Sequence, residues 1–137
     1  MFKNRSMTEV IEQVEAGPDP EAPLPVDISV MSQMFHNNSA LVRKFGLKFI
    51  EVANDTLVEM KAAQAEKDLL ALGRLGHKLK SSARTIGAAS FADLCEALET
   101  AGVNNDWSGA ESLLTKIPPL LERITQQLEN EFSKMDE

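Results

Sequence analysis

The stretch DLLALGRLGHKLKSSARTIG, residues 68–87, carries the reading of the fold. Asp68 is a residue type that caps helix starts, and Gly87 suits the left-handed position that closes a helix. One helix is therefore expected between them, running to about Ile86. A helix advances about 100° per residue. With His77 set at zero, Leu72, Leu75, Leu79, Ala83 and Ile86 fall between about 160° and 240°. That arc is an apolar stripe, and it must face a core. His77 stands opposite it, and Gly73, Arg74, Lys80, Ser81 and Arg84 lie within about 60° of the ring.

Outward from this segment the pattern stays helical, with no sustained apolar/polar alternation and hence no expected strand. Upstream, a long helix is expected from about Ser39 to Gln64, with Leu41, Phe45, Phe49, Val52, Thr56 and Met60 at helical spacing. Before it, Asp27 or Ser29 caps a short helix carrying Ile28, Met31, Met34 and Phe35, which Asn37-Asn38 breaks. Downstream, Ser90-Phe91-Ala92-Asp93 resembles a capping box, and Phe91, Leu94, Cys95 and Leu98 share a face. Asp106 caps a last region in which Ala110, Leu113, Leu114, Ile117, Leu121, Ile124 and Leu128 form one stripe. Pro118-Pro119 predicts a kink or a break near Ile117. Each helix has one apolar face and short connections. The fold expected is all-α: an up-and-down antiparallel four-helix bundle over residues 26–137, with a short extra N-terminal helix. Residues 1–25 hold four of the six prolines and read as a flexible leader, with room for a short helix from Thr8 to Ala16.

A chain of 137 residues with 43% hydrophobic and 26% charged residues can bury one core. Its net charge of −7 opposes a nucleic-acid partner, and the absence of Tyr with a single Trp opposes base stacking. Cys95 is the only cysteine, which excludes an internal disulfide and, with two histidines, nearly excludes a zinc site. No signal peptide or membrane span is read, so a soluble, cytoplasmic protein is expected, and a closed bundle with one active histidine needs no dimer, so a monomer is expected.

Four cations (Arg74, Lys78, Lys80 and Arg84) and no acid lie between Leu69 and Ala92. A basic strip therefore rings His77 on an acidic protein. Gly73 and Gly76 each cost a helix about 1 kcal/mol against alanine, and Ser81 is small. These positions read as leaving room for another molecule to approach the imidazole. With no nearby carboxylate, serine–histidine pairing or metal, the ring is a thin catalytic set. It is still enough to carry a phosphoryl group, because a neutral ring nitrogen is a nucleophile that can accept the group and return it. Lys80 and Arg84 would offset the added charge.

These residues resemble a known family. His77-Lys78-Leu79-Lys80-Ser81-Ser82-Ala83, then Ile86-Gly87-Ala88, is similar to the signature of histidine-containing phosphotransfer (HPt) domains, and Leu94-Cys95-Glu96-x-Leu98-Glu99 to their following helix. The resemblance covers about residues 27–132. It implies an intermediate of a two-component His–Asp phosphorelay. His77 would be phosphorylated on its outer ring nitrogen, with Lys80 the neighbour of the phosphate. The implied partner is the receiver domain of a response regulator or hybrid histidine kinase, which supplies the aspartate and the Mg²⁺; no cofactor is expected on this chain. Ser81 departs from the family's usual glycine. From charge alone, Arg74 and Lys78 are assigned to docking and Arg84 to the neighbourhood of the phosphate; Ser81 is placed there by its hydroxyl, which can bond the ring or the phosphate. A receiver's acidic pocket would meet the basic strip, raising association rate more than affinity.

No nucleotide-binding motif is present, which points to a phosphocarrier and away from a kinase. Two alternatives remain open from the residues alone. One is a helical adaptor that docks receivers without phosphate, although it has no use for His77 and Lys80. The other is a small enzyme clamping an anion with Arg74, Lys80 and Arg84, although it lacks an acid/base partner. Met34 and Phe35 are candidates for an apolar docking rim, with bundle core as the competing assignment. His36 is read as closing a turn and Cys95 as a buried structural thiol.

Overall fold

The computed structural model describes residues 24–135. Within them lie five helices and no strand: α1 (Ile28–Met34), α2 (Ser39–Ala65), α3 (Leu69–Thr85), α4 (Ala89–Val103) and α5 (Trp107–Met135). The expected leader, including its helix at residues 8–16, falls outside the described residues except for Leu24 and Pro25.

Short polar side chains set most helix starts by accepting hydrogen bonds from N–H groups that the first turn leaves unpaired. Asp27 accepts from the Ser29 N–H at 3.1 Å, Asn38 from Leu41 at 3.2 Å, Asp68 from Ala71 at 3.0 Å and Asp106 from Gly109 at 2.9 Å. Gly87 closes α3 at φ 87°, and its carbonyl accepts from the Asp27 N–H at 2.9 Å. A side chain there would also collide with the Asp27 carbonyl. The capping box expected at Ser90–Asp93 is absent: α4 starts at Ala89, and Ala88 supplies no side-chain cap. Burial of Ala88, Phe91 and Ala92 fixes this start in place of a capping hydroxyl. His36 and Asn37, at φ 55° and 60°, turn the chain after α1.

Consecutive long helices pack on one another, most extensively α3 on α4, and α2 closes against α5. The α3 stripe is as expected: Leu72, Leu79, Ala83 and Ile86 are buried, and Leu75 packs beside them. The α2 stripe differs in its first half. Val42 and Gly46 are buried there, while Leu41 and Phe45 are exposed. The reason lies on α5, where the Phe132 ring fills the space a side chain at Gly46 would need. Phe45 instead stacks on Phe35, with ring centroids 4.6 Å apart. Phe35 is half-buried and Met34 exposed, so neither is simple core. Pro118 and Pro119 do not break α5, which runs unbroken through both. Two backbone hydrogen bonds are forfeited there, and burial of Ile117, Leu121 and Ile124 on the same turns offsets the loss.

Gly73 and Gly76 lie in the α3–α4 interface. A Cβ on Gly76 would stand 2.5 Å from the Cys95 carbonyl oxygen, and one on Gly73 would stand 3.3 Å from the Gly102 Cα. The room these glycines leave is thus taken by α4, correcting the reading that they clear a path for another molecule. Cys95 is fully buried beneath this contact, and burial pushes its thiol up to about 12. At the far end, Gln127 of α5 clamps the backbone of Val26: its Oε1 accepts from the Val26 N–H at 2.9 Å and its Nε2 donates to the Val26 carbonyl at 2.8 Å. Nothing in the sequence pattern flagged this buried amide. Among the described residues no helix is long and apolar enough to cross a membrane.

Candidate functional site

His77 lies midway along α3, opposite its buried stripe, with 68% of its side chain exposed. The close α3–α4 approach brings Glu99 of α4 beside it. Nδ1 of His77 meets Oε2 of Glu99 at 2.8 Å, and Nζ of Lys80 donates to Oε1 of the same carboxylate at 2.7 Å. One carboxylate thus joins imidazole and ammonium. The main cause holding the Glu99 carboxyl below its ordinary value is the Lys80 hydrogen bond; desolvation works against it and the His77 hydrogen bond adds to it. A carboxylate only accepts, so Nδ1 carries the proton in this contact, and in the neutral ring the lone pair belongs to Nε2. Nε2 makes no hydrogen bond among the described residues.

Glu99 corrects the expectation that no carboxylate stands near His77. It sits 22 positions downstream on another helix, so the wheel of one helix could not reveal it. The only trace was its place at the end of the Leu94-to-Glu99 run.

The basic strip is also changed by its neighbours. Arg84 is ion-paired with Glu96, Lys80 with Glu99, and Lys78 with Glu59 of α2 at 3.7 Å. Surface pairs of this kind add little stability, yet they mute the field the strip would project. Among the described residues Arg74 makes no such pair and is the α3 cation whose charge is left unanswered. Ser81 follows His77 by one turn and is exposed. The structure therefore brings His77 and Lys80 together through Glu99, keeps Ser81 on the same face, and ties Arg84 and Lys78 to acids of adjacent helices. Beside His77, a groove of about 290 Å³ runs between α3 and α4.

An exposed imidazole, held by a carboxylate and flanked by an ammonium on a set of packed helices, is an arrangement chemically able to carry a phosphoryl group. The Hpt domain family model matches residues 47–136, a span holding His77, Lys80 and Glu99. The chain belongs to that family, and it is a histidine phosphotransfer protein of two-component phosphorelays. No curated protein matches it. Among solved structures it is similar to histidine-containing phosphotransfer protein B from Pseudomonas aeruginosa PAO1, with a TM-score of 0.76 and 18% identity, covering 82% of this chain and 98% of that one. At that identity the likeness speaks to the fold. Proteins of the family are phosphocarriers that work with receiver or kinase domains.

Proposed function

We propose that His77 is the residue that accepts and returns the phosphoryl group, through Nε2. One observation carries this reading: a widely exposed ring whose Nδ1 is engaged by Glu99 at 2.8 Å while Nε2 is left without a bond among the described residues. In the forward step the Nε2 lone pair attacks the phosphorus of an aspartyl phosphate. The N–P bond forms, the P–O bond to the aspartyl oxygen breaks, and the free carboxylate leaves. Attack places positive charge on the ring. Glu99, already accepting the Nδ1 proton, offsets that charge where it develops. Lys80, anchored on the same carboxylate, offsets the phosphoryl oxygens. The Ser81 hydroxyl is placed to bond the phosphate, and Arg84 joins it by exchanging Glu96 for the phosphoryl group. Arg74 and Lys78 serve docking.

The partner proposed is the receiver domain of a response regulator or hybrid kinase, with its own aspartate and Mg²⁺. Both Glu99 oxygens are already engaged by His77 and Lys80, so the carboxylate nearest the ring does not fit a role as metal ligand. We further propose that the long helices alternate in direction as an up-and-down four-helix bundle spanning residues 26–137. In support, the α3–α4 pairings run in opposite order, Gly73 facing Gly102 while Arg84 meets Glu96. The protein so read is a cytoplasmic monomer without nucleotide chemistry or nucleic-acid partner. The test is labelling from a phosphorylated receiver: wild type acquires acid-labile phosphate and His77→Gln does not. Label persisting in the Gln variant would put the acceptor elsewhere.

A further inference from the structure

The groove beside His77 has a composition the phosphoryl chemistry does not use. His77 lines one end. Leu70 and Val103 form its walls at the other, 60% and 80% exposed. Its floor is Gly73 and Gly102, whose backbones meet across the two helices. Leu70 precedes His77 by seven residues, which is two turns and about 10 Å along the same face of α3. Arg74 lies between them, one turn from each. Among the described residues it is also the α3 cation without an ion pair, whereas Lys78, Lys80 and Arg84 are engaged. Two large aliphatic side chains this open to water, beside a glycine floor, mark a contact surface more than a packing remnant.

We propose that this groove is the specificity slot for the receiver domain: it takes an apolar side chain of the receiver about 10 Å from its phosphorylated aspartate, with a receiver carboxylate meeting Arg74. The inference rests on the reading of His77 given above. The occupant follows from continuity, because His77 forms the end of the groove. A protein that brings an aspartyl phosphate to Nε2 overhangs the adjoining cleft. Arg74 sets the charge of what lies there. The two parts divide the work: the cluster at His77 handles the phosphoryl group, which every receiver presents alike, and the slot reads side chains that differ between receivers.

The test uses the full chain and a panel of purified, phosphorylated receiver domains from the same genome. The receiver that labels wild type fastest is titrated against Leu70→Ser, Val103→Asp and Arg74→Ala. All three positions are exposed, and thermal melts confirm folding. The half-saturating receiver concentration is expected to rise about tenfold for Val103→Asp, less for Leu70→Ser, with the plateau transfer rate held. Arg74→Ala flattens the salt dependence of the association rate. Labelling of Leu70→Ser and Val103→Asp by inorganic phosphoramidate, a donor too small to use the slot, stays at the wild-type rate. Unchanged receiver titrations for Leu70→Ser and Val103→Asp overturn the slot and leave the role of His77 standing. Phosphoramidate labelling that falls in step also overturns it, because the variants then act on the ring itself. If no receiver labels wild type, the functional reading falls and the slot falls with it.

Discussion

The two sides of this bundle are built to different tolerances. On the α3–α4 side, Gly73, Gly76 and Gly102 let two backbones meet so closely that a single methyl at Gly76 would stand 2.5 Å from a carbonyl oxygen. On the α2–α5 side, contact runs through the ring of Phe132 and past Pro118-Pro119, and two openings of about 260 Å³ and 550 Å³ share Asn54, Leu57 and Pro118 on their walls. The difference follows the chemistry. His77 and Glu99 sit on separate helices, so their 2.8 Å contact holds only if the helices cannot slide or separate. The His77–Glu99–Lys80 cluster draws no side chain from the opposite side, so packing there is free to be looser.

Substitutions can break or sharpen this contrast. The largest effect is expected at His77→Gln, with complete loss of phosphotransfer and a melting temperature near that of wild type. Glu99→Ala should slow transfer by about 10–100-fold, the usual size of losing a group that orients a reactive imidazole; single-turnover labelling measures it, and a wild-type rate would deny Glu99 its positioning role. Gly76→Ala should destabilise the fold by about 2 kcal/mol in urea unfolding, because the neighbour it meets is backbone and cannot turn aside. On the loose side the sign should reverse. Pro118→Ala restores a backbone donor within α5 and should stabilise by about 1 kcal/mol with transfer unchanged. Any loss of transfer there would show that the two sides are coupled.

The smallest effect is electrostatic. The Glu99 carboxyl is held below its ordinary value of 4.5, so its contribution is complete above that value and is lost as pH falls through the lowered one. The stability difference between wild type and Glu99→Gln should hold down to about pH 5, decline as pH falls below 4.5, and vanish only below the lowered value. A difference that persisted undiminished at about pH 2 would mean that packing, not charge, distinguishes the two.

Helix ends were legible in the sequence because caps are local: Asp27, Asp68, Asp106 and Gly87 each act within a few residues of their place in the chain. The face carrying His77 was legible for the same reason, since one helix period suffices to set it opposite Leu72 and Leu79. What escaped depends on which helix comes to lie alongside. Gly73 and Gly76 reveal their purpose only against Cys95 and Gly102. Leu41 and Phe45 lost their expected burial to Val42 and Gly46 because Phe132 arrives from α5. Glu99 could not be placed beside the ring until α4 was seen to run past it, and Gln127 reaches a backbone about 100 positions away. Periodicity describes a single cylinder; the site belongs to two.

The Gln127 amide has a final consequence for assembly. By grasping both polar groups of Val26, it fixes where upstream polypeptide departs, next to Gly87 and roughly 15 Å along α3 from the imidazole. A module fused ahead of residue 24 is thereby tethered at the end of α3 away from Leu70.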